Sequence, residues 1–187
     1  MKKIILASGS PRRRDLLKKA GLEFEVHPSS YEEDLTSPDF TYAKIENLAY
    51  NKAITVADEI DDNAIIIGAD TVVVLNNQIL GKPHSREDAF NMLKSLSGVE
   101  HLVVTGICVI DKNINTTTVQ SVTTKVEFEQ LSNEQINYYI DNFKPFDKAG
   151  AYGIQEMPEG YIKKVDGSLE NVIGLCTKTT LDMLGGL

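Results

Sequence analysis

An apolar segment that passes through a turn of small residues into a proline and three arginines lies near the start of the chain. Residues 4–7 have the composition of a buried strand, residues 8–10 form the turn, and residues 11–14 begin a helix. Proline is favoured in the first helical turn because its missing N–H has no partner there. Free backbone N–H groups at such a turn bind phosphates, and arginines add planar, bidentate donors. The segment predicts a strand, a helix and an anion bound between them.

The distribution of charge favours a focused anion site over a broad basic surface. Seven of the 19 lysines and arginines lie in the first 19 of the 187 residues, although the formal net charge of the chain is -8. Nucleic-acid binding through the arginine cluster is the alternative, and the acidic remainder of the chain disfavours it, since such proteins normally present a wide basic face. A small anion held in one pocket is compatible with an acidic protein.

The sequence also indicates where the protein works. No apolar run approaches the roughly 20 residues that cross a bilayer, and the first apolar run is too interrupted for a signal peptide. Cys108 and Cys176 are isolated in the sequence, which is typical of buried thiols in a reducing cytosol. We therefore expect a cytoplasmic protein that binds neither nucleic acid nor membrane.

Apolar periodicity predicts a mixed α/β fold with a central mixed sheet and flanking helices. Ser85 is predicted to cap one helix, and Ser132 with Gln135 forms the capping box of another. The predicted helices are 11–20, 40–60, 86–96, 132–143 and one at the end of the chain. The predicted strands are 3–7, 23–27, 63–69, a hairpin of 71–75 with 78–80, 100–111, 116–129 and a strand pair around 160–174.

Asp70 is the strongest single candidate for chemistry, because it directly follows the fully apolar run 63–69. We expect it to end this buried strand, where partial desolvation raises the pKa of a carboxyl group. Such a group suits proton transfer or metal binding. A turn or capping aspartate is the alternative, and the residue taken alone does not decide between them.

Other candidates are weaker when each is considered alone. Lys82 lies in a Gly-Lys-Pro turn, Lys52 lies within the helix 40–60, and Glu33 belongs to an acidic loop. A solvated side chain is the default interpretation for Lys82 and Glu33, and Lys52 is unremarkable by itself. In the glycine-rich segment 150–155, Tyr152 offers stacking and the Gln155 amide can recognise the imide edge of uracil or thymine. A purely structural loop is the alternative there. A metal, if used, would be magnesium-like and bound by carboxylates and phosphate oxygens.

Taken together, these segments resemble the Maf family of nucleotide pyrophosphatases. Six motifs occur in family order over nearly the whole chain, so their joint occurrence is far more specific than any one of them. They are residues 6–13 (Leu-Ala-Ser-Gly-Ser-Pro-Arg-Arg), 68–71 (Gly-Ala-Asp-Thr), 80–83 (Leu-Gly-Lys-Pro), 96–98 (Leu-Ser-Gly), 147–155 (Asp-Lys-Ala-Gly-Ala-Tyr-Gly-Ile-Gln) and 165–168 (Val-Asp-Gly-Ser).

The resemblance implies hydrolysis of dTTP and UTP to the monophosphate and pyrophosphate with a divalent metal such as Mg, Mn or Co. It also implies one domain over residues 1–187, with an elongated fold like that of inosine triphosphate pyrophosphatases and an active-site cleft between two lobes. Carried over residue by residue, the resemblance makes Asp70 the proton acceptor, and it makes Asp70 and Glu33 the metal ligands. The phosphate contacts it implies are Ser8, Arg12, Arg13, Lys52 and Lys82. The residues it implies for selection of the base are Arg12, Thr71 and Gln155.

A second hypothesis comes from the activity for which the family was named. The protein would then be a nucleotide-sensing regulator of septum formation, either without significant turnover or in addition to it. The expected partner under both hypotheses is a nucleoside triphosphate, and a homodimer is compatible with the sequence.

Overall fold

The computed structural model, which describes residues 3–33, 37–60 and 63–185, contains a seven-stranded mixed sheet. The strands are β1 (Lys3–Leu6), β2 (Glu25–Val26), β3 (Ala64–Leu75), β4 (Gln78–Leu80), β5 (Glu100–Asp111), β6 (Thr116–Phe128) and β7 (Ile162–Asp166). Their order is β2-β1-β3-β5-β6-β7, and β4 pairs with the carboxyl-terminal end of β3, residues 73–75. The β2-β1-β3 pairs are parallel and all others are antiparallel.

Six α-helices flank this sheet in the residues that the structure describes. They are α1 (Pro11–Lys19), α2 (Tyr42–Glu59), α3 (Arg86–Leu96), α4 (Asn133–Phe143), α5 (Leu169–Ile173) and α6 (Thr177–Gly185). Ser85 caps α3 and the Ser132–Gln135 capping box begins α4, as predicted. The mixed α/β fold with a central mixed sheet is thereby confirmed. Within the described residues, no helix combines the length and apolar character that a membrane span requires.

Asp70 does not end its strand, so this prediction was wrong. The predicted strands 63–69 and 71–75 form one 12-residue strand, β3, with Asp70 paired to Gly106 of β5 in its middle. The strand β1 ends opposite Ile67, so Asp70 lies beyond the carboxyl end of β1. A charged side chain is tolerated inside this buried strand because a lysine of α2 meets it there.

Two further strand predictions need correction. The segment 160–174 contains one strand, β7, followed by the short helix α5, because the Ser168 hydroxyl accepts a hydrogen bond from Asn171 N and caps that helix. Within residues 23–27 only β2 pairs with β1, as a two-residue edge strand. Capping by Ser168 accounts for the first difference, and in the second the pairing is limited to Ile5 and Leu6 of β1.

Helix α2 lies directly on the backbones of β3 and β5 at two glycines. A Cβ atom added to Gly68 would lie 2.4 Å from the Ala49 carbonyl oxygen, and one added to Gly106 would lie 2.5 Å from that of Ile45. Only glycine allows a helix to approach a sheet this closely. The approach matters for the site because α2 carries Lys52 towards Asp70.

We expect Gly68→Ala to destabilise the protein by about 1–3 kcal/mol, because the methyl group meets the rigid backbone of α2. Thermal unfolding followed by circular dichroism should show a fall in Tm of several degrees. Gly81→Ala is the matched control, since a Cβ there has nothing within 4 Å. An unchanged Tm in Gly68→Ala would contradict the close packing of α2.

Candidate active site

The predicted site residues converge on one cavity of about 540 Å³. Eight of the nine line it: Arg12, Arg13, Glu33, Lys52, Asp70, Thr71, Lys82 and Gln155. The ninth, Ser8, lines a smaller cleft of about 150 Å³, which shares Glu33 and Lys52 with the main cavity. Residues more than 140 positions apart in sequence are thus brought to one place.

A lysine held between two carboxylates forms the centre of the charged part of the cavity. Lys52 Nζ lies 2.5 Å from Asp70 Oδ1 and 2.5 Å from Glu33 Oε1. Asp70 is 5% exposed, and this burial raises the pKa of its carboxyl above the ordinary value although Lys52 opposes the shift. Burial also acts to raise the pKa of Glu33, but Lys52, Lys82 and Arg13 together bring it below its ordinary value. Asp70 is therefore the carboxylate better suited to accept a proton.

The same two carboxylates form the donor set that fits a hard divalent cation. Asp70 and Glu33 already place one oxygen each around a single positive charge, the Lys52 ammonium. In the part of the chain that the structure describes, no group of three histidine, cysteine, aspartate or glutamate residues could hold a metal. A Mg²⁺-like ion would take its remaining ligands from phosphate oxygens and water, as such ions commonly do.

Arg13 is a buried clamp between three segments. Its Nε donates to the Gly174 carbonyl oxygen at 2.9 Å, its Nη1 to Ser8 Oγ at 3.2 Å and its Nη2 to Thr71 Oγ1 at 3.1 Å. Burial lowers the pKa of Arg13, and Asp70 and Glu33 oppose that shift. The guanidinium thereby joins α1, β3 and the loop after α5, and it holds positive charge beside the two carboxylates.

Thr71 is held by further contacts of its own. Its hydroxyl oxygen lies 2.9 Å from Thr105 Oγ1 and 3.1 Å from the Gly174 carbonyl oxygen, in addition to Arg13. The hydroxyl of Thr105 in turn donates to the Asn171 carbonyl oxygen at 3.2 Å. The Thr71 side chain therefore positions the Arg13 guanidinium as well as lining the cavity.

Residues 147–156, here called the recognition loop, close the cavity beside the Lys82 turn. The Gly150 N–H donates to the Gly81 carbonyl oxygen at 3.0 Å, and the Gly153 N–H donates to Tyr139 Oη at 3.0 Å. Gly150 has a φ of 65°, and a Cβ there would lie 2.9 Å from Val73. Gln155 is exposed and lines the cavity at the end of this loop.

Tyr152 is part of the hydrophobic core and also lines the cavity. Its hydroxyl lies 2.7 Å from His101 Nε2, and its ring packs edge-on against Phe128 at a centroid distance of 4.9 Å. Burial lowers the pKa of His101 to about 4, so the imidazole is neutral at physiological pH. Its buried ring anchors the recognition loop, and stacking of Tyr152 on a base stays a prediction.

Apolar side chains complete the lining of the cavity. They come from β3, β4, α3, β5, the recognition loop and α5, and they are Val72, Val73, Ile79, Leu80, Met92, Val103, Ile154, Val172 and Ile173. A cavity that combines a cluster of charges, an exposed amide and an apolar surface matches a ligand with a polyanionic part and a planar base.

The model of the Maf-like protein family matches residues 3–187. The chain belongs to the Maf family. The dTTP/UTP pyrophosphatase of Ruminiclostridium cellulolyticum is 46% identical over 176 residues, which cover 94% of this chain and 91% of the relative. That of Clostridium novyi is 45% identical over 175 residues (92% and 91%), and that of Thermosipho africanus is 44% identical over 182 residues (97% and 92%).

Among solved structures, a nucleoside-triphosphatase, or dITP/XTP pyrophosphatase, from Mycobacterium abscessus is similar at a TM-score of 0.47. Its sequence is 13% identical, and the match covers 98% of this chain and 93% of that one. This similarity is too distant to support a conclusion about activity.

Sequence reasoning missed two charged residues of this Maf site, Lys148 and Glu156, which both line the cavity. Lys148 stands in the motif 147–155, but a lysine in a glycine-rich loop is normally solvated. Its burial arises only because Gly153 packs directly on its side chain. The glycine at 153 was the available signal, since it permits such a close approach.

Proposed function

We propose that this Maf protein hydrolyses dTTP and UTP to the nucleoside monophosphate and pyrophosphate. The observation that carries the proposal is Asp70, a buried carboxylate of raised pKa, in a cavity with five lysine and arginine side chains and the Gln155 amide. The names of the three relatives, all dTTP/UTP pyrophosphatases, support the same substrates.

In the proposed reaction, a water oxygen attacks the α-phosphorus while Asp70 accepts its proton. A new bond forms between this oxygen and the α-phosphorus, and the bond from that phosphorus to the α–β bridging oxygen breaks. The electron pair leaves with pyrophosphate, whose growing charge is stabilised by the guanidinium and ammonium groups of Arg12, Arg13, Lys52 and Lys82. No covalent intermediate with the protein is required.

A divalent ion is part of the proposal, with Asp70 and Glu33 as the residues that would hold it. When bound, it would neutralise phosphate charge next to the leaving group. Lys52 holds both carboxylates in place around one cationic position, which keeps their oxygens directed towards each other.

Gln155 is proposed to select the base, because its amide can accept from N3–H and donate to O4 of uracil or thymine. Arg12 and Thr71 are proposed to contribute at the same cavity, Thr71 through its hold on Arg13. The apolar residues would cover the faces of the base, where hydrogen bonding to water is not needed.

The remaining expectations from the sequence are proposals too. Residues 1–187 would act as one domain with its cleft between two lobes, and a homodimer is compatible with the fold. Cys108 and Cys176 are both free and buried, which suits a cytoplasmic location.

The test is a pyrophosphate-release assay across the common and modified nucleoside triphosphates with Mg²⁺, Mn²⁺ or Co²⁺. We expect dTTP and UTP to have the highest kcat/KM, with CTP, GTP and ATP at least about tenfold lower. Tight binding of dTTP without turnover under any of these metals would contradict the hydrolase and favour the nucleotide-sensing regulator.

A further inference from the structure

Four alternating charges connect α1 to the recognition loop. Arg12 Nη1 lies 3.6 Å from Asp147 Oδ2, Lys148 Nζ lies 2.9 Å from Asp147 Oδ1, and the same Nζ lies 3.1 Å from Glu156 Oε2. The Arg12 side chain is 39% exposed and that of Asp147 is 65% exposed, so the ion pair between them contributes little free energy. The contact on which the inference rests is between Lys148, which is only 9% exposed, and Glu156, whose side chain is 42% exposed but whose Oε2 is buried. The two groups interact as an ion pair, since Oε2 accepts no hydrogen bond among the described residues.

The Lys148 side chain occupies the inner side of the recognition loop. A Cβ atom on Gly153 would lie 2.8 Å from Lys148 Cε, 3.0 Å from its Cδ and 3.2 Å from Glu156 Oε2. The Lys148 carbonyl oxygen accepts from Ala151 N at 3.1 Å, and Glu156 N donates to the Gly153 carbonyl oxygen at 3.0 Å. The loop is therefore wrapped around one lysine and closed by its ion pair with Glu156.

The ion pair between Lys148 and Glu156 lies next to Gln155 in the chain. Gln155 directly precedes Glu156 in the second of two short 3₁₀ turns, and its own side chain is exposed. A glutamine amide presents a donor on one side and an acceptor on the other, and a half-turn exchanges them. One orientation pairs with uracil or thymine, and the other pairs equally well with cytosine. Discrimination between these bases therefore requires the amide to be held in one position.

We propose that Lys148 is a specificity-determining residue that acts through position: its ammonium, paired with Glu156, fixes the recognition loop so that Gln155 accepts uracil and thymine but not cytosine. This inference rests on the proposed function of the cavity. In this proposal Lys148 acts without contacting the reacting phosphates, and its ammonium pairs with Asp147 and Glu156.

The test compares binding of two ligands that cannot be cleaved between the α and β phosphates, α,β-methylene-UTP and α,β-methylene-CTP, by titration calorimetry. Lys148→Met keeps the apolar stem against Gly153 and removes only the charge. We expect Lys148→Met to reduce the ratio of affinities for the UTP and CTP analogues about tenfold, which corresponds to the loss of one hydrogen bond. The affinity for inorganic pyrophosphate should be unchanged. Lys163→Met is the matched control, because Lys163 lies on the edge strand β7 and its ammonium pairs with Glu127 of β6, outside the cavity.

Glu156→Gln tests the same pair from the other side without altering the buried lysine. It should reduce the preference similarly, and the double variant should lose little more, since the two changes remove one interaction. An unchanged preference in both single variants would overturn the proposal, as would equal weakening of both analogues or a matching loss in Lys163→Met. A wild-type protein that prefers the UTP analogue but never cleaves UTP would overturn the proposed hydrolysis alone, because the binding assay does not depend on turnover.

Discussion

Asp70→Asn is expected to lower kcat for dTTP about 10³-fold, since a positioned general base contributes about 10²- to 10⁴-fold. The amide has nearly the shape of the carboxylate but cannot accept the proton of the attacking water. It also removes one of the two carboxylates proposed to hold the divalent ion. Pyrophosphate release under saturating dTTP and metal measures the effect directly.

A measurement of Tm distinguishes a loss of catalysis in Asp70→Asn from a loss of folded protein. Burial raises the pKa of Asp70 in the folded protein, so its ionised form costs folding free energy at neutral pH. A neutral amide removes that cost, and Tm should be unchanged or higher. Asp111→Asn is the control, because Asp111 is a buried aspartate of the neighbouring strand β5 that does not line the cavity. Turnover above about a tenth of wild type in Asp70→Asn would mean that Asp70 is not the base.

The sequence predicted the charged residues of the site better than it predicted their local structure. The strand–turn–helix segment at residues 3–20 appears as β1 and α1, and Arg13 lies where an anion site was expected. The apolar run 63–69 directly before Asp70, however, predicts that this residue ends its strand. In the structure Lys52 approaches it from α2, so the carboxylate is tolerated in the middle of β3.

What the sequence could not supply are contacts between distant segments. Gly68 and Gly106 appear as ordinary small residues in strands, and their role depends on α2 crossing both strands at that point. The burial of Lys148 depends likewise on Gly153, five residues later, folding back over it. Periodicity describes which face of an element is apolar, but it does not state which backbone will come close to which side chain.

Lys52→Met is expected to shift the pH dependence of hydrolysis towards alkaline pH. Asp70 must be ionised to accept a proton, and burial already raises its pKa. Lys52 gives the largest opposing effect, while Glu33 acts in the same direction as burial. Without the ammonium, the largest effect that opposes burial is lost, so the pKa of Asp70 should rise further.

The sign of the effect distinguishes Lys52→Met from Asp70→Asn. Because the fraction of ionised Asp70 falls most at low pH, the loss of kcat/KM should be greatest on the acid side and should diminish as the pH rises. Asp70→Asn should show no such recovery, because its amide does not titrate. The measurement is kcat/KM for dTTP between pH 5 and pH 10 at constant metal, with Lys125→Met as a control that removes an exposed ion pair with Glu100. On the acid side of the profile, kcat/KM falls with decreasing pH. If the midpoint of this fall is the same in Lys52→Met as in wild type, the ionisation of Asp70 does not control the reaction. The total loss of activity does not decide this, because removal of a phosphate contact alone lowers kcat/KM without moving the midpoint.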